Sequence, residues 1–433
     1  MHAARGNATL PRRRTHCRHT LLAFLLVLFC TAPAVSDDAA FELDNGDAIT
    51  YERFGAGGTG RVLLLPADEG FTDTEIAFAK GLAAQGLEVI YPHLHDSYFL
   101  TPGAFSLAAV PLDDLVGFVA HVDDAAVPLY LIANQRVAVI ALEVAAAYQR
   151  RVPGRRPVGM VLLSPYLEAT ALQPGQPMRF HPAAMRSNLP LFLLQPASSS
   201  RAYLVPDTVA ALERGGSPVF TRIEPDTRDA YHIWPEEITP YERERRQSLP
   251  AQIAQVLPLL AASEPAPLAE DYAGDRQARR NVVNALPQPI DDAPAAPALR
   301  LDDLDGRSWS TGDLRGRVVL LNFWATWCPP CIEELPALRR LQQRLSEADF
   351  SVVSVDVGED RETVEAFLRS NGIELGYPVL IDGDAATVKD WNITGFPTSF
   401  VVDRVGRLRF GLIGAIAWDG DEVVALLREL LSE

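Results

Sequence analysis

Short apolar runs, many of them β-branched, alternate with alanine-rich stretches through the first half of the chain. Strands are expected at residues 61–65, 87–91, 127–132, 158–163, 189–194 and 218–223, and helices at 73–85, 111–121 and 136–150. This alternation predicts a mostly parallel sheet covered by helices on both faces. A second α/β pattern begins after residue 298: a strand at 318–323, a helix from Cys331, a strand at 350–356 and a helix at 361–370. A hairpin is expected about Asp403-Arg404-Val405-Gly406, and a last helix from Gly420.

Between the two patterns, from 261 to 298, the chain turns proline-rich (Ser-Glu-Pro-Ala-Pro, later Leu-Pro-Gln-Pro-Ile-Asp-Asp-Ala-Pro-Ala-Ala-Pro). Prolines at this density deny the backbone helix and ladder bonds, so a semi-extended linker is expected there, with a short helix possible at 270–286. The expected organisation is a leader at 1–36, an α/β domain at 37–262, a linker at 263–298 and a second α/β domain at 299–433. The leader has an arginine-rich start, an apolar run at 21–29 and small residues about Ala32-Pro33-Ala34-Val35-Ser36. That is the layout of a secretory signal cleaved after Ala34 or Ser36. An uncleaved anchor is the alternative, but the apolar stretch falls short of the ~20 residues that span a bilayer.

Charge narrows the partners. The chain carries a formal charge of -17, and the five arginines of the first 36 residues have no acid among them, which leaves 34 bases against 56 acids, or -22, for the remainder. Nucleic acid and anionic membrane surfaces are poor partners for so acidic a body.

Of the four cysteines, Cys17 and Cys30 fall in the leader, so a processed chain would keep Cys328 and Cys331. They lie in Asn322-Phe323-Trp324-Ala325-Thr326-Trp327-Cys328-Pro329-Pro330-Cys331, a buried strand running into a tight turn and a helix. Cys328 is thereby expected at an exposed helix N-terminus, where unpaired N–H groups and the helix dipole favour thiolate. Cys331 is spaced to close a small disulfide ring with it. A zinc half-site would need further ligands, yet no other Cys and no His follows the linker. A purely structural disulfide remains open, although so short a loop removes little chain entropy, as do two free core thiols.

On these residues, with Glu334, Pro336 and Gly395-Phe396-Pro397-Thr398-Ser399-Phe400, the region 299–433 resembles the TlpA/ResA-type thioredoxin family of thiol-disulfide oxidoreductases. The resemblance implies a thioredoxin fold with an extra helix and strand at 359–381, a kink at Pro336, and a cis Pro397 opposite the cysteines that leaves neighbouring backbone free for a client peptide. It implies Cys328 as nucleophile and Cys331 as resolving thiol, no cofactor, client proteins with disulfides as partners, and re-reduction by a membrane-embedded thiol donor. One departure matters. Many thioredoxins bury an Asp where this chain has Asn322, and an amide cannot take a proton from the second cysteine. Glu334, one helical turn after Cys331, is the candidate for that work, with a solvated helix glutamate as the alternative. Glu333 is expected to be solvated, and Trp324 and Trp327 to pack around the sulfurs.

The region 50–255 resembles the α/β-hydrolase superfamily in element order, but its motif is broken. At the place of the Gly-x-Ser-x-Gly elbow stands Ala133-Asn134-Gln135-Arg136-Val137, with Gln135 in the nucleophile position and both glycines replaced. An amide cannot attack a carbonyl, so neither a nucleophile nor a strained turn is expected. His232 falls where the histidine of a triad belongs, and Ser164, Ser198, Ser199 and Ser200 are the other serines within its possible reach. His93-x-His95-Asp96 is a weak metal motif in a loop.

The expected protein is therefore a two-domain α/β chain, an α/β-hydrolase-like doubly wound sheet followed by a thioredoxin fold. It is expected to exchange disulfides outside the cytoplasm, with the first domain as a non-catalytic binding or docking module. A binding scaffold with a structural disulfide, or a hydrolase with a non-standard triad, is the alternative.

Overall fold

The computed structural model describes residues 36–70, 72–169, 178–233, 238–268 and 286–433. The expected leader lies outside these residues apart from Ser36, and the expected short helix at 270–286 apart from Leu286.

The first sheet contains β1 (Ser36–Glu42), β2 (Ala48–Phe54), β3 (Arg61–Leu64), β4 (Glu88–Pro92), β5 (Leu129–Asn134), β6 (Gly159–Leu163), β7 (Leu191–Ser198) and β8 (Val219–Arg228), side by side in the order β1-β2-β4-β3-β5-β6-β7-β8. β1 pairs antiparallel with β2, and β2 with β4; every pairing from β4 onward is parallel. Every residue of β4, β5 and β6 is buried, because parallel strands covered on both faces need no polar side. The helices are α1 (Asp73–Ala83), α2 (Leu94–Ser97), α3 (Leu112–Val122), α4 (Val137–Arg151), α5 (Pro182–Met185), α6 (Val205–Arg214) and α7 (Pro240–Ala262). α4 is buried from Val137 to Ala146, and its alanines let it lie close against the strands.

Two features of this sheet were not read from the sequence. The β1–β2 hairpin sits at the edge, where polar residues such as Thr50, Glu52 and Arg53 alternate with the buried ones and leave no unbroken apolar run. α7 runs through Pro250 and Pro258, which argue against a helix locally. A capping box between Thr239 and Glu242 starts it. It then packs so tightly on α1 that a Cβ at Gly81 would stand 2.6 Å from the Pro250 ring.

The second sheet has the order β11-β10-β14-β13-β12-β15-β16-β9, from β9 (Gln288–Pro289), β10 (Arg300–Asp303), β11 (Ser308–Ser310), β12 (Val318–Trp324), β13 (Phe350–Val357), β14 (Val379–Asp382), β15 (Thr398–Val402) and β16 (Leu408–Ile413). Its helices are α8 (Pro329–Arg344), α9 (Arg361–Ser370), α10 (Ala386–Asp390) and α11 (Asp421–Ser432). β12 lies between parallel β13 and antiparallel β15, the central position from which its C-terminal end can present a site. α9 and β14 occupy the expected insertion.

One boundary is corrected. The second part of the proline-rich segment is not a free linker but the edge of this sheet: β9 pairs with β16, Ala295 bridges Arg407, and Ile290 is buried in the core. Proline is tolerated there because an edge strand needs partners on one side only.

Candidate active site

β12 is buried along its whole length and delivers the chain into the turn Ala325–Trp327. Cys328 is the N-cap of α8, with Pro329 and Pro330 in the first helical positions, where the missing N–H groups cost nothing. The helix therefore begins before the expected Cys331, and it continues through Pro336. The Cys328 and Cys331 sulfurs are joined at 2.01 Å, with their Cα atoms 5.2 Å apart, so the oxidised state is the one described. Cys328 was expected to stand exposed; in this state it is 4% exposed and Cys331 0%. The exposed residues between the two cysteines are Pro329 and Pro330.

Glu334 is not solvated. It is 3% exposed; its Oε1 accepts from Asn322 Nδ2 at 2.7 Å and its Oε2 from Trp418 Nε1 at 3.1 Å. Burial penalises the ionised form more than these donors favour it, and the carboxyl is pushed up to about 7. Asn322 also donates to Ser399 Oγ at 3.0 Å, so the amide, which cannot take a proton, ties the active-site helix to the strand after Pro397. Trp418 escaped the sequence reading, since nothing local marks a residue 84 positions away from Glu334 as its partner.

A second carboxylate was also missed. Glu359 accepts from Thr326 N and Oγ1, each at 2.7 Å, and so fixes the turn two residues before Cys328. Behind it Asp356 is wholly buried, and burial together with the Glu359 charge holds its carboxyl well above the usual range.

The Phe396–Pro397 peptide bond is cis. Phe396 packs edge-on against Trp327, with ring centroids 5.8 Å apart, which sets the loop before Pro397 beside the cysteine turn. Trp324 is core, as expected, whereas Trp327 is half-buried and also meets the first sheet, with the Arg228 guanidinium 6.0 Å from its ring.

At the other candidate site Gln135 holds φ +40°, in the left-handed region, on the strand-turn-helix between β5 and α4. The strained turn expected to be absent is therefore present, without glycine or serine. It is held by main-chain bonds: Gln135 N donates to Leu163 O at 2.9 Å, and Gln135 O accepts from Tyr166 N at 2.9 Å. His232 is buried and donates from Nε2 to Asn134 Oδ1 at 2.9 Å, and burial pushes it down to about 3, so it is neutral in any ordinary buffer. Ser199 donates to Asp229 at 3.0 Å, and Ser164 Oγ is buried with no hydrogen-bond partner among the described residues. No serine meets His232 among the described residues. His93 faces Glu52 at 3.2 Å while His95 faces Ser106 at 2.8 Å, so the two do not converge.

Comparisons with known proteins place the C-terminal region in a family. The Redoxin family model matches residues 291–422. The chain is 32% identical to thiol-disulfide oxidoreductase ResA of Bacillus subtilis over 128 residues, 30% of this chain and 70% of that protein. It is 34% identical to ResA of Geobacillus thermodenitrificans over 121 residues, 28% of this chain and 68% of that one. Among solved structures, StoA from Bacillus subtilis is 26% identical with a TM-score of 0.27, and the match covers 32% of this chain and 100% of that one. Through its C-terminal redoxin domain, which carries the cysteine pair on a thioredoxin fold, the chain belongs to the ResA-type thiol-disulfide oxidoreductases.

Proposed function

We propose that the protein reduces disulfides of client proteins outside the cytoplasm, with Cys328 as nucleophile and Cys331 as resolving thiol. The observation that carries this is the Cys328–Cys331 disulfide at the N-terminus of α8. In the reduced protein the Cys328 thiolate attacks one sulfur of a client disulfide, forming a mixed disulfide and releasing the other client sulfur as thiolate. Cys331 gives its proton to Glu334 and attacks Cys328, which releases the second client thiolate and closes the Cys328–Cys331 bond. Two electrons pass to the client, and a membrane-embedded thiol donor returns two. Pro397 and the loop before it form the edge on which a client strand rests. An extracytoplasmic site of action fits the leader pattern, and no helix of the described residues is long and apolar enough to cross a membrane.

Trapping tests this. Cys331→Ser leaves the nucleophile but removes the resolving thiol, so a mixed disulfide with clients should accumulate and dissolve with dithiothreitol. Equal trapping by Cys328→Ser would overturn the assignment of the two roles.

We further propose that the first domain is an α/β-hydrolase-like module that binds rather than cleaves. The strand order and the left-handed Gln135 elbow support descent from that fold. An amide in place of the nucleophile, with His232 spent on Asn134, supports loss of catalysis. The full chain should show no hydrolysis of short-chain esters above buffer and no labelling by a fluorophosphonate probe. Labelling that disappears on replacing His232 would reveal a relocated triad.

A further inference from the structure

The first domain carries a cavity, partly open to solvent, beside the elbow and floored by the first turn of α4. Its walls are apolar along Phe105, Val139 and Ile140, while Asp68, Arg136, Tyr166, Glu168 and His181 make up the polar side. Arg136 is half-buried, with its guanidinium 5.0 Å from the Phe105 ring centroid and 5.1 Å from that of Tyr166. The two rings hold the cation in place without using its N–H groups in its plane, and among the described residues no hydrogen bond or ion pair engages them.

The neighbouring acids are committed elsewhere. Asp68, at the cavity wall, accepts from Phe105 N at 3.2 Å and Leu107 N at 3.3 Å. Glu168 pairs with Arg201 at 3.1 Å, and Arg201 itself stacks 3.5 Å from the centre of the Tyr166 ring. Glu69 lies within the field of Arg136 but is exposed. Tyr166 is fixed from behind, its hydroxyl donating to Asp229 at 3.0 Å and accepting from Gln135 at 3.1 Å. Gln135 thus supports the wall of the cavity instead of facing a scissile bond.

We propose that this cavity binds a small carboxylic acid with an apolar body, its carboxylate on Arg136 and its hydrocarbon part against Phe105, Val139 and Ile140. This rests on reading the first domain as a binding module and names the chemical class it takes. The reasons are stereochemical. A guanidinium with free donors matches a planar carboxylate two bonds to two, and a single cation in apolar walls suits one negative charge better than a phosphate. No reaction is required, since the elbow has no nucleophile to attack the bound group.

The probe is octanoate, kept below its micellar concentration and titrated calorimetrically into the full-length protein, with octan-1-ol as the neutral match. Octanoate is expected to bind one to one, about ten-fold or more tighter than octan-1-ol, since a charge-assisted pair is worth more than a neutral hydrogen bond. Arg136→Gln should erase that preference, leaving the rate of disulfide exchange at the cysteines unchanged. Ala108→Trp, which sets an indole on a residue lining the cavity, should abolish binding of both. Equal affinities for the two probes, a preference that survives Arg136→Gln, or no octanoate binding to the folded wild-type protein would each overturn the proposal. Failure here leaves the non-catalytic reading of the domain standing. Fluorophosphonate labelling would sink that reading whatever octanoate does.

Discussion

Serine at position 328 is expected to bring disulfide exchange down to the uncatalysed rate, while serine at 331 blocks turnover but still permits the first attack. The asymmetry follows from placement. Cys328 caps α8, so its sulfur in the reduced state lies at the positive end of a sixteen-residue helix, which favours thiolate even though Pro329 and Pro330 supply no N–H there. Cys331 is one turn inside the helix and wholly buried, where burial favours thiol until a base takes the proton. Hydroxyl groups are not nucleophiles toward sulfur at neutral pH, so neither serine can replace its cysteine. Turbidity from insulin reduction with a dithiol donor reads turnover, and a single-turnover assay with a chromogenic disulfide reads the first attack. Full turnover in Cys328→Ser would make the pair a structural staple, and would do so against its own thermodynamics, since a ring this small constrains the unfolded chain very little.

The same placement orders the reactivity of the reduced protein. Cys328 should be alkylated much faster than Cys331, although both are nearly covered in the oxidised state. The expectation rests on thiolate fraction and on access past Pro329 and Pro330, which are themselves exposed. Comparable rates at the two sulfurs would remove the distinction between attacking and resolving thiol.

What could be read from residue order alone was whatever is local in the chain. The strand into Cys328, the helix N-terminus at that cysteine and the turn spacing to Cys331 lie within fourteen consecutive residues, and only the first helical residue, Pro329 instead of the expected Cys331, departs from the pattern. Central strands such as β5 and β6 were legible because burial on both faces leaves an unbroken apolar run. Long-range partners were not. Glu334 could be named as a candidate, but its burial depends on Trp418 and Asn322, and Glu359 acquires its role only when the end of β13 comes beside that of β12. The left-handed Gln135 was misread for a related reason: glycine is the usual signal of such a turn, and here tertiary bonds to Leu163 and Tyr166 hold the conformation without it. The proline-rich segment misled in the opposite sense, since composition reports what a backbone cannot do alone and not whether a sheet edge will accept it.

Glu334→Gln is expected to change both the pH dependence of stability and the pH dependence of exchange. In the unfolded chain the carboxyl titrates near its ordinary 4.5, and in the folded protein near 7, raised by burial against the pull of Asn322 and Trp418. Between those values the folded state keeps a proton that the unfolded state has released. The stabilisation this provides is complete below the lower value and is lost as pH rises through the higher one. The carboxyl is 3% exposed, so solvent screening is slight, and the loss amounts to about 3 kcal/mol. Glutamine does not titrate. Whatever the variant loses by setting an amide N–H against Asn322 or Trp418, its stability relative to wild type should improve by about 3 kcal/mol between about pH 4 and about pH 8, measured by denaturant unfolding of the oxidised protein. Exchange should move the other way: without an acceptor for the Cys331 proton, resolution of the mixed disulfide near neutral pH should slow by about 10²-fold, the lower end of what a positioned base contributes. A stability difference that moves with pH, combined with superimposable rate profiles, would make Glu334 a buried structural acid. A flat stability difference would instead mean that the carboxyl titrates alike in the folded and unfolded chains, which would leave the carboxylate a weak base poorly matched to a thiol proton near neutral pH.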